Sequence, residues 1–215
     1  MATRAYHSPT RQAQSSATRR RVMSAAQACF EERGYVATTM RAIAQRAQVS
    51  VETVHLTAAK RELLLAVFTL TVTGEDGPAR LLERPEPKAI LDDPDPVRRL
   101  RRLAEFVTRL NTRVTPLWRV FEQAAAADPQ IAAEYADLIA RMRSELRDAL
   151  TVLAGRGDLR DDRPIDELAD LLWLLALPDQ YFRLCEQAGW SLERYEAWLA
   201  ESVLDLLLAG RRPTS

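Results

Sequence analysis

Side chains able to do covalent or metal chemistry are few and scattered in this chain. The histidines are His7 and His55 and the cysteines Cys29 and Cys185. None of them falls beside Asp or Glu at a spacing that holds a metal ion. Asp161 and Asp162 sit in a charged stretch that reads as a solvated loop, and no glycine-rich phosphate loop, nucleophile elbow or His-Glu-x-x-His run is present. Neither a nucleophile nor a base can be named, so an enzyme is not expected and no cofactor is implied. What the sequence does offer is a close series of polar and basic residues: Thr39, Arg41, Ser50, Val51, Glu52, Thr53, His55 and Lys60. Hydroxyls and cations suit phosphate oxygens, which fix position without reading sequence, whereas Val51, Glu52, Thr53 and His55 could meet base edges. Glu52 can accept from a cytosine amine or simply favour the start of a helix, and Arg46 is either a further phosphate contact or a surface charge.

The charge distribution agrees with that chemistry. The chain of 215 residues carries 30 basic and 30 acidic side chains. Residues 1–60 nevertheless hold nine basic ones (Arg4, Arg11, Arg19, Arg20, Arg21, Arg33, Arg41, Arg46, Lys60) against Glu31, Glu32 and Glu52, a surplus of six that the remainder balances. A basic segment on a neutral chain points to a polyanionic partner for that segment alone.

These residues must be held by short helices. Met40, Ile43, Ala44 and Ala47 fall on one helical face, a polar turn follows, and Ser50 opens a second short helix, its hydroxyl placed to accept a backbone N–H near Glu52 or Thr53. Upstream, Val22, Ala25, Ala26, Cys29 and Phe30 form another apolar stripe, closed by Gly34 as a residue able to take positive φ. Three helices sharing one small core make a helix-turn-helix head, with Cys29 a buried thiol. The order Ala26, Phe30-Glu31-Glu32-Arg33-Gly34-Tyr35, Thr38-Thr39, Ile43-Ala44, Val49-Ser50, Thr53-Val54, Lys60 and Leu63-Leu64 resembles the DNA-binding domain of the tetracycline-repressor (TetR) family, over about a fifth of the chain. The sequence departs from that pattern at Glu52, where the family usually has Gly, and at His55, where it usually has Tyr. It also lacks the Phe that follows, within Leu56-Thr57-Ala58-Ala59, and Lys60 comes one residue early. These departures bear on phosphate contact and base preference, not on fold.

The rest of the chain reads as helix. The fold class expected is all-α with about nine main helices: an arm at 1–17, a helix-turn-helix domain at 18–64, and a ligand-binding and dimerisation domain at 65–215. The arm is either an uncommitted tail or a basic extension whose Arg4 and Arg11 reach DNA with Arg19 to Arg21. A helix from Ala59 or Lys60, with Leu63, Leu64, Val67, Phe68, Thr71 and Val72 inward, should link the two parts and end at Gly74, Gly77 and Pro78. A proline-rich and acidic connector with two short helical turns follows. Val97, Leu100, Leu103, Ala104, Val107 and Leu110 form one stripe. Thr115-Pro116 and Asp128-Pro129 each read as a cap and first residue of a new helix, the second carrying Ile131 to Leu153. Leu168 to Leu177 is apolar nearly all round, Pro178 breaks it, and Gly189-Trp190-Ser191 starts a last helix with Leu192, Tyr195, Trp198, Leu199, Val203 and Leu206 along one exposed face.

These two last helices are the expected dimer contact, through Leu168, Leu171, Leu175, Trp198, Val203 and Leu206, and the resemblance implies a four-helix bundle between two subunits. Trp118, Phe121, Tyr135, Met142, Trp173 and Tyr181 are the expected lining of a pocket for a small hydrophobic ligand, with Phe182 nearby and Arg119, Gln123 and Asp179 as its polar groups. No apolar run reaches the ~18 residues of a membrane span and no signal-peptide core opens the chain, so a cytoplasmic protein with no membrane partner is expected. The function expected is that of a homodimeric regulator that binds a near-palindromic duplex and releases it to a small apolar molecule. The alternative is a helical enzyme or adaptor that uses the helix-turn-helix as an interaction module.

Overall fold

A computed structural model describes residues 9–74 and 80–208, with side chains from Gln14 onward. Ten α-helices and one 3-10 turn follow one another without a strand among the described residues. Helix α1 (Pro9–Ala37) starts earlier than the expected arm allows, because Pro9 presets the first turn and a helix already anchored by packing extends cheaply. Met1 to Ser8, with Arg4 and His7, lie outside the described residues, as does the side chain of Arg11. Gly34 breaks α1 at φ 74°. A methyl there would meet nothing within 4 Å, so the glycine is required by backbone conformation alone. The buried Thr38 hydroxyl then donates to the Cys29 carbonyl at 2.9 Å and the Gly34 carbonyl at 2.7 Å, which turns the chain into α2.

Helices α2 (Met40–Ala47), α3 (Val51–Thr57) and α4 (Lys60–Thr73) complete the head. One apolar core runs through Val22, Phe30, Ile43, Val54, Leu63 and Leu64 and continues past the expected boundary at residue 64 into Phe68, Leu117, Trp118 and Phe121. Gly74 caps α4 at φ 76°, and the expected stop signals Gly77 and Pro78 lie outside the described residues. The connector forms the 3-10 turn Leu81–Glu83 and α5 (Pro85–Leu91), the two short turns expected.

Two body helices expected as separate are one. Helix α6 runs unbroken from Pro96 to Ala127 with Pro116 inside it. An internal proline costs about 3 kcal/mol. Val114, Thr115, Leu117, Trp118 and Phe121 are nevertheless all buried around it, and the Thr115 hydroxyl donates to the Asn111 carbonyl at 2.6 Å; this packing overrides the break signal. Asp128-Pro129 does start a helix, α7 (Pro129–Gly155), with the Asp128 carboxylate accepting from Gln130 N–H at 2.8 Å. Helices α8 (Ile165–Ala176), α9 (Pro178–Tyr181, continued by a wider turn over Phe182–Gln187) and α10 (Leu192–Leu207) close the body. Its second core gathers Leu100, Leu150, Leu153, Leu168, Leu172, Tyr195, Leu199 and Val203. Leu168 and Val203 therefore face inward within one subunit, not toward a partner, and Tyr195 and Leu199 are likewise inside, because α8 and α10 must first cover α6.

Buried polar groups fix the body's register. Asn111 donates to the Ala176 carbonyl and to the Tyr195 hydroxyl, both at 3.1 Å, holding the carbonyl end of α8 where Pro178 interrupts the chain. Arg99 is only 2% exposed. It donates to the Asp93 carbonyl at 2.6 and 2.9 Å and to Asp158 at 2.7 Å, tying the start of α6 to the loop after α7. Arg99→Ala should destabilise the protein by about 3–5 kcal/mol, since it strands the partners of a buried charge. Lys88→Ala, at an exposed pair, should leave a urea melt nearly unchanged.

Candidate nucleic-acid interface and ligand cavity

The recognition-type helix α3 is held by few contacts. Val54 alone is fully buried in the core. Ser50 caps the helix, accepting from Thr53 N–H at 3.0 Å, and its hydroxyl lies 2.8 Å from that of Thr53. The Thr57 hydroxyl donates to the Thr53 carbonyl at 2.9 Å. Thr39 caps α2 in the same way, accepting from Ala42 N–H at 3.1 Å. The structure therefore gives Ser50, Thr53 and Thr39 local jobs besides any contact with a partner. Val51, Glu52 and His55 point outward on α3, and Arg41 is exposed on α2.

Two expected cations are engaged within the head. Arg46 pairs with Glu32 at 2.6 Å. The Lys60 ammonium sits 4.3 Å above the Tyr35 ring and donates to the Val36 carbonyl at 3.4 Å, and burial lowers its pKa from the ordinary lysine value. Arg20 is exposed, and Arg21 donates to the Gln48 carbonyl at 3.4 Å, which brings the basic run of α1 beside the turn between α2 and α3. Leu56 was not among the expected contacts, although it is 83% exposed on α3. Its signal was its place one residue after His55 on the same helix.

The body contains a cavity of about 620 Å³ between α4, α6, α7 and the end of α8. Trp118, Met142 and Trp173 line it as expected. Phe121, Tyr135 and Tyr181 do not. Phe121 and Tyr135 pack edge to face in the first core, and the Tyr135 hydroxyl donates to Glu122 at 3.2 Å, where burial raises the pKa of both groups. Tyr181 packs edge to face on Tyr195. Nor do Arg119, Gln123 or Asp179 reach the cavity; the Arg119 guanidinium lies 3.7 Å above the Phe182 ring. The walls combine aliphatic side chains, Leu65 and Val72 of α4, Leu103, Val107 and Leu110 of α6, Leu138 and Leu146 of α7, with the rings of Phe68 and Phe106. Leu103, Val107 and Leu110 had read as plain core, because periodicity shows which face is apolar but not whether it meets a neighbour or a void. Glu145 is the half-buried acid of the lining; it accepts from Leu82 N–H at 3.3 Å, and burial raises its pKa.

A basic head with an outward-facing second helix is thus set on a helical body that holds a largely apolar cavity. Residues 22–67 match the model of the bacterial regulatory proteins of the tetR family, so the head is a tetR-type N-terminal domain. The whole chain has the fold of such regulators. It is 22% identical to a transcriptional regulator from Saccharomonospora viridis solved in complex with choline, over 91% of this chain and 100% of that one, with a TM-score of 0.69. It is 20% identical to SmeT in its complex with triclosan, covering 92% of this chain and 96% of that one at a TM-score of 0.70. NalD, the secondary repressor of the MexAB-OprM multidrug efflux pump in Pseudomonas aeruginosa, is also 20% identical, with coverage of 92% and 100% and a TM-score of 0.69. At these identities the likeness is one of fold. No curated protein matches the chain in sequence. No helix among the described residues is long and apolar enough to cross a membrane.

The chamber is open to a direct test. The neutral dye N-phenylnaphthylamine should fluoresce on binding, and Leu110→Trp, which fills the space between α6 and α4, should weaken that binding by about tenfold or more, or 1.4 kcal/mol upward, without lowering the melting temperature. Equal dye binding by both proteins would place the dye elsewhere.

Proposed function

We propose that the protein is a homodimeric transcriptional repressor that binds a near-palindromic DNA operator and releases it when a small, mostly apolar molecule enters the body cavity. The observation that carries this reading is the position of α4: Leu63 and Leu64 belong to the core of the head, while Leu65, Phe68, Thr69 and Val72 of the same helix wall the cavity. A ligand that favours one setting of α4 therefore acts on the head without any separate relay. The shift it produces is limited by its differential affinity for the two settings. The complexes of the structural relatives with triclosan and with choline, and the role of NalD as a repressor, support the same reading.

On this proposal residues 18–64 bind DNA and 65–215 bind ligand and dimerise. Arg41 and Lys60, with the hydroxyls of Thr39, Ser50 and Thr53, face phosphates, and Val51, Glu52 and His55 enter the major groove. Thr53 and Lys60 act partly through the caps and ring contact that also hold the head together. The partner copy covers Leu171, Leu175, Trp198 and Leu206, which stay half-buried in one subunit, and Leu174, which is 49% exposed. A repressor of this kind works in the cytoplasm.

DNA affinity should fall steeply with salt, log K against log salt having a slope of about −0.9 per phosphate neutralised, and Arg41→Ala should flatten it by about one contact per subunit. Half-sites should lie roughly 34 Å apart. Binding that ignores salt would refute the assignment. For assembly, sedimentation of Leu175→Asp should show monomers or aggregates, since the carboxylate would be buried unpaired; a native chain that runs as a monomer at micromolar concentration would rule the dimer out.

A further inference from the structure

The outward face of α3 is half aliphatic. Val51, Glu52, His55 and Leu56 occupy it at i, i+1, i+4 and i+5, opposite the buried Val54. Leu56 is 83% and Val51 39% exposed, and neither packs against the head's core. They contribute nothing evident to folding, and Arg20 and Arg41 are exposed on the neighbouring helices α1 and α2 of a segment with a basic surplus in sequence. Charge complementarity selects a polyanion as the occupant, and the major groove of DNA displays a single apolar group, the C5 methyl of thymine. We propose that Leu56 and Val51 are specificity-determining residues that read thymine methyl groups, an inference that rests on the DNA-binding reading above.

The geometry also sets a spacing. Five residues of helix separate the two side chains, a rise of about 7.5 Å at ~1.5 Å per residue. Base pairs stack at about 3.4 Å. A helix lying along the groove thus places the two contacts about two base pairs apart, with Glu52 and His55 between them for polar edges. Each half-site should then carry a pair of thymines at that separation, on either strand.

The test uses the full-length protein and duplexes enriched from a random-sequence pool, resynthesised with deoxyuridine in place of one thymine at a time, which removes only the methyl. At two positions per half-site, affinity should fall about threefold to fivefold, the change expected from one methyl taken out of apolar contact. Leu56→Ala should melt with the wild type, bind thymine and uracil duplexes equally at one of these positions, and keep discrimination at the other, where Val51→Ala removes it. Leu56→Met should retain part of the discrimination. Wild-type protein that binds uracil and thymine duplexes alike, or a Leu56→Ala protein that still discriminates at both positions, would overturn the inference while leaving DNA binding intact. A pool that yields no enriched sequence would overturn both.

Discussion

The structure depends on one aromatic joint. The Phe68 ring of α4 lies 5.9 Å from Trp118 and 5.4 Å from Phe121 of α6, and both of those rings lie 5.4 Å from Tyr135 of α7. All but Tyr135 are fully buried. Because this cluster belongs to the same core as Val22, Phe30 and Ile43, the head cannot turn on the body without repacking it, and close-packed cores switch between arrangements instead of deforming smoothly. Polar contacts guard the same joint. Arg61 at the start of α4 pairs with Glu134 at 2.9 Å and reaches Gln130, and Arg113 of α6 donates to the Thr71 carbonyl at 2.9 Å. Phe68 and Trp118 of this joint also line the cavity, so the packed cluster and the cavity wall share side chains on α4 and α6.

The head itself is asymmetric in strength. Helix α1 is anchored by six buried apolar side chains between Val22 and Phe30, whereas seven-residue α3 is anchored by Val54 and by hydroxyls at Ser50 and Thr57. The family pattern has a Phe after the recognition helix; here Ala58, half-buried, occupies the end of α3. Less apolar surface therefore secures this helix, and segments with few buried contacts open locally at low free energy.

The head was readable in the sequence because its signals are local. The stripe at Val22 to Phe30, Gly34 at φ 74° and the Ser50 hydroxyl on Thr53 N–H all follow from residues within one or two turns of each other, and the Asp128-Pro129 start of α7 in the body is local in the same way. What was misread depends on distant partners. Pro116 is carried inside α6 because burial on both sides outweighs the lost hydrogen bond. Leu168 and Val203 look like interface from their own helices and are core only because α6 lies against them. The cavity is a further case: a stripe such as Leu103, Val107 and Leu110 has the same periodicity whether it faces another helix or a cavity. Tyr135 and Tyr181 were taken for lining because they are large and aromatic, yet each is committed to a neighbouring ring.

The central claim is that the duplex surface and the cavity communicate through α4. Linkage makes that claim measurable from either end, since a ligand that weakens DNA binding must itself be weakened by DNA to the same factor. The most direct measurement is the affinity of an apolar compound for the cavity, by fluorescence or calorimetry, with and without saturating operator duplex, for a compound that releases the operator. The account predicts that its Kd rises in the presence of duplex by the factor that the compound imposes on the duplex, and that filling the cavity with Leu110→Trp removes both effects. A compound that binds the cavity equally well with and without DNA, yet still releases the operator, would contradict it.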